Sequence, residues 1–198
     1  MWFGRRNLHL VVIRHLWLVA VLLSCGGWSS HAAEGALKLL QQPATFGAMR
    51  HALAPGFSDP EDFTIGDCRS QRNLDAAGRR QARATGVALR AAGLRFDRVL
   101  TSQWCRCRET AELLNVGPVE ELPALNSFFE EPAQAKPQTA ALRAFMAALP
   151  VGEKILLVSH YVNISAYLNV AVSSGEMVIA ERKSTGDAVI LSRFLIAP

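Results

Sequence analysis

The sequence predicts an α/β fold: a mostly parallel central sheet with helices on both faces and a C-terminal hairpin at one edge. Three observations predict it. Short apolar runs alternate with longer helical stretches along most of the chain, the pattern of a sheet with helices packed on it. The run Ile155-Leu156-Leu157-Val158 is apolar throughout, as buried parallel strands are. With 198 residues, 50% hydrophobic and 19% charged, the chain can bury one substantial core. The same composition excludes a disordered or fibrous chain.

The elements follow in order. Residues 1–32 carry Arg5, Arg6 and Arg14 and no acid, then the apolar run Leu16–Leu23, then a small, polar stretch ending in Ser30-His31-Ala32. That layout predicts a cleaved export signal and a periplasmic protein. The charge-free run of eight residues is far shorter than the roughly 20 a spanning helix needs. A retained anchor would bury Arg14 and His15 in lipid. Leu22-Leu23-Ser24-Cys25 partly matches a bacterial lipobox, which leaves a lipid-anchored form open, and Arg5-Arg6 is weak support for twin-arginine export. Beyond residue 32 there remain 18 Lys and Arg against 17 acids, so charge gives no case for nucleic-acid binding. No membrane span is expected in the mature form.

Residues 33–198 read as a single domain without repeats, low complexity or a dividing linker. A short helix is expected over Ala36–Gln42 and a buried strand over Thr45–His51, ended by the turn Ala54-Pro55-Gly56. Residues 52–74 are polar and irregular. Asp75 is placed to cap a helix running to about Ala92 and closed by Gly93; its small residues suggest close packing against the sheet. Arg98–Ser102 reads as a strand, Trp104–Leu114 as a helix with Arg108 paired to Glu112 at i,i+4, and Glu120–Leu122 as a short strand. A helix from about Gln138 to Leu149 stops at Pro150, and Lys154–Ser159 is the clearest strand. A helix over Val162–Val172 follows, and Glu176–Glu181 with Ala188–Phe194 forms the hairpin. Among Cys68, Cys105 and Cys107, a disulfide from Cys68 to either of the others is expected in an oxidising compartment. The spacing lacks the pairing of a zinc site.

Ligands of such sheets sit at the carboxyl ends of the strands. There lie Arg50-His51, the stretch Thr101-Ser102-Gln103-Trp104-Cys105-Arg106-Cys107-Arg108-Glu109-Thr110-Ala111, and Ser159-His160. In these three blocks, in order and in register, the chain resembles the histidine phosphatase superfamily, the clan of phosphoglycerate mutase-like enzymes. The resemblance implies His51 as the nucleophile, with Arg50, Arg106 and His160 holding a phosphate, and no metal or other cofactor. The chemistry fits the residue types. A neutral imidazole is a good nucleophile near pH 7 and can carry a phosphoryl group. Guanidinium forks bind oxyanions bidentately and stay charged. Arg72-Asn73-Leu74-Asp75-Ala76-Ala77-Gly78 looks like a further family motif, which makes Arg72 a candidate substrate-binding residue as well as a candidate solvated loop arginine.

The chain departs from the pattern in four places. Ala52 replaces a glycine, Gln103-Trp104 replaces Pro-Leu, and Cys107 replaces an alanine. Ser127 stands where the family carries its acidic glutamate. A leaving alkoxide needs a proton, so Glu130 is the first candidate acid, Glu131 the second and Asp59 the third. Phe128-Phe129 and Trp104 read as core or pocket wall. The expected activity is a phosphomonoesterase working through phosphohistidine on an extracytoplasmic phosphoester, a phosphorylated small molecule or envelope glycan. A phosphomutase and a non-catalytic phosphate-binding module are the alternatives.

Overall fold

The structure is a computed structural model and describes Met1 and residues 35–198. The export signal, its cut after Ala32 and the lipobox-like stretch lie outside the described residues. Six strands form one sheet in the order β3-β2-β4-β1-β5-β6: β1 (Thr45–Arg50), β2 (Arg98–Thr101), β3 (Val119–Glu121), β4 (Ile155–Ser159), β5 (Met177–Arg182) and β6 (Ala188–Phe194). The pairs β3–β2, β2–β4 and β4–β1 are parallel. The hairpin β5–β6 adds antiparallel strands beside β1. This is the expected mostly parallel sheet with a C-terminal hairpin at its edge.

The helices are α1 (Ala76–Ala91), α2 (Cys105–Leu114), α3 (Ala135–Ala148) and α4 (Tyr161–Leu168), with a helical turn at residues 35–39. Strand alternation sorts the core into two layers. Met49, Leu156 and Val158 face Leu89 of α1 and Leu114 of α2. Phe46, Leu157 and Val178 face Met146 of α3 and Ile164 of α4. Helices therefore cover both faces. Among the described residues no helix is long and apolar enough to cross a membrane.

Local chemistry sets the boundaries. Asp75 caps α1 by accepting from the Gly78 N–H at 2.7 Å, as the sequence predicts. Helix α1 packs on the sheet through Leu89, and its small residues serve further neighbours: a Cβ on Gly86 would lie 2.1 Å from the Leu114 carbonyl oxygen, so the missing side chain also lets α1 approach the end of α2. Helix α3 begins at Ala135, three residues before the expected start. Pro137 falls in its first turn, where a missing N–H has no intrahelical partner to lose. Helix α4 stops at Leu168 instead of continuing to Val172, because Asn169 turns left-handed (φ 54°) and closes the helix. Arg108 pairs with Glu121 at 3.3 Å, a strand-end neighbour, and not with Glu112; tertiary proximity wins over helical spacing.

Candidate active site

Strands β2, β4 and β1 are neighbours, and their carboxyl ends open on one cleft of roughly 380 Å³. Sheet hydrogen bonding runs on into the site residues: the His51 N–H donates to Ser159 O at 2.9 Å, and the Ser102 N–H to Val158 O at 3.0 Å. Arg50, His51, Arg72, Arg106, Glu130 and His160 all line this cleft. So do Ser127, Glu131 and Asp59. The expected residues are thus brought together from distant parts of the chain.

The two imidazoles sit at the floor, buried, with ring centroids 5.6 Å apart. His51 Nδ1 lies 2.8 Å from the Ala52 carbonyl oxygen. A carbonyl only accepts, so Nδ1 carries the proton and Nε2 keeps its lone pair. His160 is oriented by the opposite logic. Its Nδ1 faces the Arg106 guanidinium at 3.5 Å, which can only donate, so the proton sits on Nε2 and points to Ser102 Oγ at 2.8 Å. Ser102 passes its own hydrogen to Asn126 Oδ1 at 3.3 Å. Burial pushes both histidines well below the ordinary imidazole range, and the Arg106 charge pushes the same way. Both rings are therefore neutral.

Three guanidinium groups surround them. Arg50 donates to Val172 O at 3.1 Å and lies 5.8 Å from the Tyr161 ring centroid. Arg72 donates to Ala54 O, and the loop wraps its stem at Gly56 (φ +96°), where a Cβ would sit 3.1 Å from Arg72 Cδ. Burial and the neighbouring Arg106 charge lower Arg72 to about 10 and lower Arg50 as well. The Nε atoms of Arg50, Arg72 and Arg106 are buried and make no hydrogen bond within the described chain. Unpartnered buried donors are costly. Clustered cations with spare donors form a receptor for a multivalent oxyanion.

Asp59 anchors this cluster in a way the sequence did not disclose. Its Oδ1 accepts from Arg106 Nη1 at 2.8 Å and from the Arg72 N–H at 2.9 Å, and its Oδ2 accepts from the Trp104 indole at 3.0 Å. The Asp59 and Arg106 side chains are 7% and 4% exposed. Burial alone would raise this carboxyl; the Arg106 hydrogen bond and charge, with the other two donors, hold it below the usual range. An ionised carboxylate with both oxygens engaged is a clamp rather than a proton donor. The sequence marks Asp59 as a third candidate acid and Asp59-Pro60 as a turn, and neither reading points to a clamp. Glu130 and Glu131 are exposed at the cleft edge.

The irregular segment that carries Asp59 and Arg72 is fastened to the start of α2. Cys68 is bonded to Cys105, and Gln71 Oε1 accepts from the Cys105 N–H at 2.9 Å. Cys107 is free and buried, with its thiol pushed up to about 12 by burial, and its Sγ lies 3.5 Å from His160 Nε2. Among the described residues no group of three or more His, Cys, Asp or Glu side chains is arranged to hold a metal ion.

A family model described as the histidine phosphatase superfamily, branch 1, matches residues 64–147. That span includes Arg72 and Arg106; His51 and His160 flank it. A curated relative, the mitochondrial serine/threonine-protein phosphatase Pgam5 of Drosophila virilis, is 29% identical over an alignment covering 50% of this chain and 44% of that one. The chain thus spans less than half of that relative's length. Among solved structures, the protein histidine phosphatase SixA complexed with tungstate is 17% identical with a TM-score of 0.54, covering 76% of this chain and 96% of that one. A phosphoglycerate mutase from Thermus thermophilus is 17% identical with a TM-score of 0.54, covering 77% and 99%. A phosphoserine phosphatase from Entamoeba histolytica, solved with 3-phosphoglyceric acid, is 13% identical with a TM-score of 0.53, covering 75% and 95%. At these identities the likeness is one of fold.

Proposed function

We propose that the chain is a member of the histidine phosphatase superfamily, branch 1, whose family model matches residues 64–147, and that it is a metal-independent phosphomonoesterase acting on an extracytoplasmic phosphoester. One observation carries the reading. His51 presents an unprotonated Nε2 into a cleft lined by the three guanidinium-bearing residues Arg50, Arg72 and Arg106.

The reaction runs in two steps. The phosphate monoester accepts from the cleft-lining guanidinium groups of Arg50, Arg72 and Arg106, and its charge relieves the repulsion among them. The same charge favours protonation of His160, which turns Nδ1 from acceptor to donor toward a phosphate oxygen. The Nε2 lone pair of His51 attacks phosphorus, a P–N bond forms, and the P–O bond to the alcohol breaks. The leaving oxygen takes a proton from Glu130. Water then attacks phosphorus, gives a proton to the Glu130 carboxylate, and releases inorganic phosphate with His51 restored. The fixed guanidinium groups act where charge spreads over the equatorial oxygens, so binding and catalysis share one set of donors.

Export of the chain by residues 1–32 would place this chemistry in the periplasm, where phosphorylated sugars of the envelope are a fitting substrate class. SixA, bound to tungstate, and the phosphoserine phosphatase are relatives in fold. That structures of this fold are solved with tungstate and with 3-phosphoglyceric acid supports an oxyanion as the ligand here. Quenching the enzyme during turnover of a ³²P-labelled monoester, with EDTA present, is expected to leave acid-labile, alkali-stable label on the protein. His51→Ala should carry none and lose on the order of 10⁴-fold in kcat or more. Turnover that needs added metal, or label that survives His51→Ala, would overturn the proposal.

A further inference from the structure

The cleft's walls have a chemistry of their own. Beyond residue 32 the chain has eleven Phe, Trp and Tyr residues, and five of them line this one cleft: Phe57, Phe63, Trp104, Phe129 and Tyr161. Three are not packing residues. Phe57 is 82% exposed, Tyr161 44% and Phe129 41%, and exposed large apolar groups clustered at a pocket mark ligand contact. Phe57 belongs to segment 52–74 and Phe129 to segment 126–131, yet their rings meet edge to face at 5.2 Å. Below them Trp104 stands 5.4 Å from the His160 ring and 5.5 Å from Phe63. Apolar ring surface thus runs from the mouth down to the phosphate-facing histidine.

The charges are unevenly divided. The guanidinium groups are on the floor, while the exposed acids Glu130 and Glu131 stand at the edge. A substrate with a second anionic group beside its ester would meet repulsion there from Glu131, the acid that the proposed reaction does not use as its proton donor. Resting on the phosphatase reading, we infer that the substrate is a phosphomonoester whose alcohol carries an uncharged, flat, apolar-faced ring next to the phosphate. Its phosphate is held by the arginines and its ring lies among Phe57, Phe129 and Tyr161. An aromatic ring and the apolar face of a pyranose share this chemistry, and both stack on aromatic side chains.

Binding separates this inference from the catalytic one. Calorimetric titration of the full chain with phosphonates needs no turnover. Benzylphosphonate, and a phosphonate carrying a pyranose ring, are compared with methylphosphonate and with phosphonoacetate, whose carboxylate is the second anion. At least one ring compound is expected to bind tenfold or more tighter than methylphosphonate, with phosphonoacetate weakest. Preference for benzyl assigns an aromatic alcohol; preference for the pyranose assigns a sugar. Phe57→Ala with Phe129→Ala should shrink the ratio of ring to methyl affinity to threefold or less. Equal affinities, tightest binding of phosphonoacetate, or no binding at all overturns the inference. Selective ring binding without hydrolysis of any ester would keep the aromatic wall as a ring-binding site while removing the phosphatase reading, and unselective hydrolysis would do the reverse.

Discussion

A buried imidazole among arginines is a base that stays unprotonated under acid conditions where a solvent-exposed histidine would not. Burial, then the Arg106 charge, hold His51 and His160 well below 6.5. The acid limb of kcat/KM that belongs to the free enzyme is therefore expected below the ordinary histidine range, measured with a substrate whose own titration is corrected for. A limb at 6.5 or above would contradict the geometry. Stability follows the same sign. The unfolded chain takes up these two protons as pH falls through about 6.5 while the folded chain does not. Folding stability should then decline below that pH by up to about 1.4 kcal/mol per pH unit for each histidine. Urea midpoints at pH 7.5 and 5.5 test this, and Glu130→Gln tests the proton donor. That substitution should slow an alkyl phosphate by on the order of 10²-fold and p-nitrophenyl phosphate far less, because a good leaving group needs no proton. Equal slowing of both would remove Glu130 from the role. At this scale the sequence was legible where a residue type is chemically singular: the two histidines and the arginines beside them. Along the sequence Asp59 reads as a candidate proton donor. Its work as a clamp depends on three partners, Arg106, the Arg72 backbone and Trp104, which no spacing along the chain reveals. Asp59→Asn should cost on the order of 3 kcal/mol of stability, the usual result of leaving one buried ion without its partner.

Among the elements, segment 52–74 is the one that depends most on covalent and polar fastening. It is irregular, yet it delivers Arg72 to the site. The Cys68–Cys105 bridge joins residues 37 apart, and the loop-closure entropy of that span corresponds to about 4 kcal/mol in the chain-entropy model. Reduction, or Cys68→Ser with Cys105→Ser, is expected to lower the denaturant midpoint accordingly and to raise KM as Arg72 loses its fixed position. An unchanged midpoint would show that Gln71 and Asp59 suffice. Of the three cysteines, the sequence left two pairings open, because Cys105 and Cys107 are separated by one residue. The orientation of α2 decides between them: Cys107 lies on the buried face with Ala111 and Leu114, while Cys105 faces the segment. Element ends were legible where a cap or breaker is local, as with Asp75. They were not where the chain could continue either way. Pro137 reads as a barrier but is accepted in a first turn, and Asn169 ends α4 through a left-handed backbone that several residue types could have declined. Gly86→Ala, which forces a Cβ toward the Leu114 carbonyl, should cost about 1–3 kcal/mol.

The whole molecule gathers like charges that outnumber their partners within the chain. Three guanidinium groups share one cleft, Arg50 and Arg72 are both depressed by burial and by Arg106, and Asp59 is the carboxylate bonded to Arg106. Parallel strand order, legible from the alternation of elements, explains why the site lies where β2, β4 and β1 end; the resulting electrostatic strain is a property of the assembled fold alone. An oxyanion relieves that strain only in the folded chain, so binding must appear as stability. At a hundred times its dissociation constant, tungstate or phosphate is expected to add about 2.7 kcal/mol, a rise of roughly 5–11 °C in Tm for a domain of this size. Because the bound anion favours protonation of His160, its affinity should strengthen as pH falls toward 6, against the trend of the protein's own stability without the anion. Arg106→Ala should abolish the rise, and Arg72→Ala should reduce it. Scanning fluorimetry across pH 5.5–8 measures both trends at once. A Tm indifferent to tungstate at every pH would mean that the clustered arginines do not form an anion receptor.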